Sequence, residues 1–111
     1  MPIKYMKQFK DFHNRQIRLT IERQQHIETD HPEMSGQIGK IQETLINPDV
    51  IVRSRTDSDV ELFYRHYDTT PVTEKYLCIV VKILVSDLFI ITASFSVSLK
   101  YPAFFSKRTS R

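Results

Sequence analysis

Tryptophan is missing from the 111 residues, glycine occurs only twice and cysteine once. A single thiol, Cys78, excludes a disulfide framework within the chain and fits a cytosolic setting. Set inside an apolar run, Cys78 reads as a small buried hydrophobe rather than a nucleophile. The first ten residues hold no apolar stretch of the kind a signal peptide needs, so none is expected. Internal repeats and low-complexity tracts are absent. The four histidines, His13, His26, His31 and His66, lack the HxxxH or CxxC spacing of metal ligands, so neither a metal nor a cofactor is expected. A membrane partner is not expected either. The most apolar stretch, residues 75–100, carries Lys82 and Asp87, which would stand near the centre of a bilayer at high cost.

What is present is ordinary globular material. Hydrophobic residues make up 41% and charged residues 26%, enough for one core, so residues 1–111 are expected to form a single domain. A net charge of +3 permits an anionic partner such as RNA without demanding one. The organising stretch is residues 75–100. Two β-branched and aromatic runs, 76–85 and 88–97, flank the polar pair Ser86-Asp87, predicting a buried antiparallel hairpin. Lys82 and Thr92 interrupt strands that are otherwise almost wholly apolar.

Residues 4–20 read as two short strands around the turn His13-Asn14-Arg15, with Lys4, Lys7, Lys10, Arg15 and Arg18 making this end basic. These charges are either a solvated face or a surface that tracks phosphate. Thr20 is an N-cap for a helix over 21–29, whose only apolar residues, Ile21 and Ile27, require docking on a sheet. Pro32 is predicted to open a second helix. Met34, Ile38, Ile41 and Leu45 form its apolar stripe, and Asn47-Pro48-Asp49 stops it. Strands follow over 50–55 and 60–67, separated by the turn Thr56-Asp57-Ser58-Asp59. The loop 68–73 leads into the central hairpin, and Tyr101-Pro102 ends the pattern ahead of Phe104-Phe105 and a basic tail. The expected architecture is α+β: an N-terminal β-hairpin and two helices packed on a four-stranded antiparallel sheet.

The segments IRLTIERQQHIETDHPEM, KIQETLINPDVIVRSRTDSDVELFYRHY, KYLCIVVK and FIITASF carry a family likeness. Their landmarks are His26-Ile27, His31-Pro32-Glu33, Asn47-Pro48-Asp49, Tyr64-Arg65, Val80-Val81-Lys82 and Ile91-Thr92-Ala93. Together these resemble the phage-associated nuclease-like domains of the barnase–EndoU–colicin–RelE superfamily, over residues 17–100. The resemblance implies a small α+β fold on a four-stranded antiparallel sheet. It also implies a metal-independent endoribonuclease, with tRNA or mRNA as substrate and an antitoxin or immunity protein as partner.

Cleavage of RNA without metal needs a base for the ribose 2′-OH, an acid for the leaving oxygen and donors for the phosphorane. His26, matching the family's helix histidine, is the candidate acid or base; the alternative is a histidine satisfied by a loop carbonyl. Lys82 would meet the scissile phosphate, or else an acidic side chain. Thr92 would hold the phosphate or orient a histidine, or is simply a β-former in a strand. Arg65 and Arg53 are candidate clamps, since a guanidinium forks onto two phosphate oxygens. Tyr64 would stack a base, unless it packs in the core. Ser94, sharing a face with Thr92, and His31 complete the candidate substrate-binding set; His31 has a turn or capping role as its alternative. A second reading keeps the fold and drops the chemistry: a catalytically inactive RNA- or protein-binding module.

Overall fold

The computed structural model describes residues 6–97 and the backbone of residues 107–108. In order, the elements are β1 (Met6–Lys10), β2 (Gln16–Thr20), α1 (Ile21–Asp30), a single 3₁₀ turn (Pro32–Met34), α2 (Ile38–Ile46), β3 (Val50–Arg53), β4 (Val60–His66), β5 (Tyr76–Ile83), β6 (Leu88–Ser96) and the two-residue β7 (Lys107–Arg108). The class is α+β. The sheet is larger than expected and mixed, with strand order β1-β2-β6-β5-β4-β3-β7. Tyr101, Pro102, Phe104 and Phe105 lie outside the described residues.

Strands β3 to β6 pair antiparallel in chain order. The N-terminal hairpin does not pack on this sheet but extends it, through a parallel pairing at Arg18 and Phe89. Local pattern carries no signal for that contact, and two interactions account for it. Ile17 and Leu19 are fully buried and have to share the core. Arg18 forks onto Asp87 with two bonds of 2.9 Å and lies 5.0 Å from the centre of the Phe89 ring. The bond from Arg18 holds the Asp87 carboxyl below the usual carboxylate range.

Alternation along the strands sorts the sheet into two faces. Ile17, Leu19, Ile51, Phe63, Leu77, Ile79, Val81, Ile90 and Ala93 point to one side, where Ile27, Met34, Ile41 and Leu45 of the helical layer close the core. The other side carries a second, smaller cluster of Val50, Val52 and Tyr64, flanked by Leu62, Tyr76 and Cys78. A register shift between Val80 and Val81 pairs Val80 with Thr92 and Val81 with Ile90, leaving Ile91 as the extra residue of a bulge in β6.

The helix predicted to start at Pro32 divides. Pro32 opens a 3₁₀ turn, Gly36 takes a φ of +78°, and α2 begins only at Ile38. The apolar stripe was continuous in sequence, but Gly36 in the left-handed region breaks the helix. A Cβ added at Gly36 meets no atom within 4 Å. Gly36→Ala should therefore cost about 1 kcal/mol through backbone strain alone, read as a lower urea midpoint with an unchanged slope. At the other ends the differences are small. The β5–β6 turn spans 84–87 and is closed by Leu84 N–H donating to Asp87 O at 3.0 Å, and β3 stops at Arg53 rather than running to residue 55.

Candidate functional site

α1 begins at Thr20, whose hydroxyl accepts from Arg23 N–H at 3.1 Å, and it buries only Ile27. That single anchor fixes the rotation of the helix. His26 is consequently exposed on its outer surface, in a shallow depression of about 310 Å³ lined by Glu22, Gln25 and Thr29 of the same helix. Among the described residues, none from the sheet lines it.

Lys82 and Thr92 are on the other side of the sheet. Lys82 shares its face with Tyr76, Cys78 and Val80, while Leu77, Ile79 and Val81 face the helices. Its ammonium donates to Asp57 Oδ2 at 2.7 Å, which is the ion pair of the second reading of Lys82. Each partner favours the other's charged form: the bond to Asp57 raises the Lys82 pKa, and the bond from Lys82 lowers that of Asp57. Thr92 faces Val80 across β5 and β6, with Ala93 turned into the core. Lys82 and Thr92 therefore do not meet the His26 imidazole around one phosphate, because the sheet lies between them.

Arg65 is engaged elsewhere again. It projects on the helical side and donates to the Asn47 carbonyl at 2.7 Å, satisfying the C-terminal end of α2. Glu43 at 3.5 Å and Asp49 at 3.9 Å flank the guanidinium, which lies 5.6 Å from the centre of the Tyr67 ring. Its Nε is buried without a hydrogen-bond partner. Held this way, the guanidinium is engaged with the C-terminal end of α2 and the carboxylates beside it. Tyr67 belongs to the same cluster, donating to Glu43 Oε1 at 2.9 Å, with the Lys40 carbonyl and the buried Thr44 hydroxyl each 3.2 Å from its oxygen.

Burial, with the Glu43 contact adding to it, pushes the Tyr67 hydroxyl up to about 12. A group whose pKa is raised on folding contributes stability that is intact below its unfolded value and is lost as pH climbs through the folded one. The native chain should thus lose stability between pH 10 and about 12. Tyr67→Phe should be less stable at neutral pH by about 1–2 kcal/mol, since Thr44 loses a partner, and the gap should close across that alkaline window. Urea melts of both proteins at successive pH values check it.

Tyr64 is fully buried and presents no surface for a base, so core packing is its role. Arg53 is exposed at the end of β3, opposite Glu61. His31 makes no side-chain cap; its Nδ1 lies 3.8 Å from Glu33, and its backbone N–H donates to the Ile27 carbonyl at 2.7 Å, closing α1. Ser94 does line a cavity, of about 260 Å³, shared with Tyr64, Glu74, Cys78, Phe95 and Ser96. Ser94 and Tyr64 therefore come together, and Thr92 and Lys82 lie on the same face, while His26, His31 and Arg65 belong to the helical side. Among the described residues, no group of three or more His, Cys, Asp or Glu side chains could hold a metal ion. Nor is any described helix long and apolar enough to cross a membrane.

Sequence reading missed the grouping at Asp11. Its side chain is completely buried and accepts from the N–H groups of His13 (3.0 Å) and Arg15 (2.7 Å) and from Arg15 Nε (2.8 Å). Arg15 extends on to Glu61 at 2.9 Å. The signal available was an Asp beginning a turn that contains Asn14, which adopts a φ of 65°. Comparison of the chain with family models, curated proteins and solved structures finds no match in any of the three.

Proposed function

We propose that this protein is a non-catalytic binding module, with a protein rather than RNA as its partner. The observation that supports the reading is the separation of His26 from Lys82 and Thr92 by the sheet. General acid–base cleavage requires such groups within hydrogen-bond reach of one phosphate. Lys82 and Arg65 are, besides, committed to carboxylates and a backbone carbonyl of their own chain.

The disposition of charge argues for protein over RNA. Arg15, Arg18, Arg65 and Lys82 are all paired internally. Among the described residues, the cations outside ion pairs are scattered over the fold: Lys7 and Lys10 on β1, Arg23 on α1, Lys40 on α2, Arg53 on β3 with Arg55 just past it, and Lys75 ahead of β5. Five strand steps separate β1 from β3, roughly 24 Å, so the charges on these two strands do not follow one backbone.

The ribonuclease is the competing proposal, resting on the family resemblance. Purified protein incubated with total RNA in EDTA, beside His26→Ala, separates the two. The binding module leaves the RNA intact in both lanes. Cleavage to 2′,3′-cyclic phosphate ends that is lost in His26→Ala would overturn it.

A further inference from the structure

β1 is the outermost strand on its side of the sheet, and its far edge pairs with nothing among the described residues. Asp11 N–H donates to the Arg15 carbonyl at 3.0 Å. Antiparallel pairs alternate between bonded and non-bonded. Counting back from Asp11 and Arg15, the bonded pairs are Phe9 with Ile17 and Lys7 with Leu19. The N–H and C=O groups of Met6, Gln8 and Lys10 therefore point away from β2, an open ladder for another strand. Side chains along it are exposed at Lys7, Gln8 and Lys10, with Phe9 turned into the core. Among the described residues neither lysine is in an ion pair, and Lys7 donates to Gln24 at 3.2 Å.

We propose that β1 accepts an extended, acidic segment of a partner protein as an added antiparallel strand. This rests on the binding-module reading and names its surface. Backbone bonds to Met6, Gln8 and Lys10 supply affinity, as in strand addition generally. Carboxylates three residues apart on the incoming strand stand opposite Lys7 and Lys10, one on each face of the sheet. A second copy of this chain is a poorer occupant, because it brings the lysines of both edges to one seam between molecules that each carry +3.

The probe is the peptide acetyl-TVETVET-amide, whose glutamates have that spacing, with its lysine-substituted counterpart TVKTVKT as control. Titration into ¹⁵N-labelled protein should shift the amides of Met6, Gln8 and Lys10 most, and affinity should fall with added salt. Gln8→Pro removes an outward N–H without breaking the β1–β2 ladder, and should abolish binding while leaving the rest of the spectrum in place. Lys7→Glu with Lys10→Glu should weaken the acidic peptide at least about tenfold and admit the lysine peptide instead. The proposal is overturned if millimolar acidic peptide shifts no β1 amide, if Gln8→Pro binds as well as the native chain, or if sedimentation shows a dimer that Gln8→Pro dissolves. Any of these results beside uncut RNA sinks the edge alone; cut RNA sinks the reading beneath it.

Discussion

Phe63→Ala should lower stability by about 3–5 kcal/mol, the range for deleting a fully buried aromatic side chain. Phe63 is wholly buried between the helical layer and the central strands, where β3 and β5 flank it on either side. Its neighbour Tyr64 is equally buried but points the other way, into the cluster with Val50 and Val52. The cost at Phe63 combines lost transfer energy with the cavity left behind, since strands bonded on both edges do not collapse inward. Against a typical total of about 5–15 kcal/mol, such a loss leaves a marginal fold. Urea denaturation followed by far-ultraviolet circular dichroism checks it: the midpoint should fall steeply, and a loss below about 1 kcal/mol would contradict this placement of the core.

Asp11→Ala should be nearly as severe, at about 3 kcal/mol. The substitution strips two loop N–H groups of their acceptor and leaves Arg15 with Glu61 alone. Removing one partner of a buried pair costs more than the pair contributes, because the desolvated remainder stays behind. Arg15→Ala should be milder, since its side chain keeps about a quarter of its exposure while that of Asp11 has none. The double variant should cost clearly less than the sum of the two, and the size of that shortfall is what a double-mutant cycle reads. Additive losses would mean that the turn is held by something other than this carboxylate.

Much of the architecture was legible in local pattern. Thr20 was readable as an N-cap, and its hydroxyl does accept from Arg23. The strand read over 60–67 is β4, and the two apolar runs after residue 75 form β5 and β6. What escaped was long-range. Nothing near Arg18 announces Asp87, sixty-nine residues on, so the parallel joint between β2 and β6 had no local signature. The division of the second helix at Gly36 was hidden because the apolar stripe runs straight through it.

The candidate site was less legible, for a related reason. Periodicity says which residues share a strand face but not which face meets the helices, and the catalytic set depended on that choice. An acidic partner was one of the two readings of Lys82, but Asp57 is identifiable as that partner only once β4 and β5 lie side by side. His26 was placed beside Ile27, and a step of one residue on a helix turns a side chain by about 100°, enough to move it from core to solvent.

A binding module without catalysis requires His26 and Thr92 on opposite sides of the sheet. In a Cys78→Ser background, spin labels at His26→Cys and Thr92→Cys measure that separation by double electron–electron resonance. A helix about 10–12 Å across stands between the first label and the sheet, and the second points away from both, which predicts roughly 20 Å. A distance distribution centred below about 12 Å would put both side chains within reach of one phosphate and contradict the placement, since catalytic groups must come within hydrogen-bond reach of the reacting atoms.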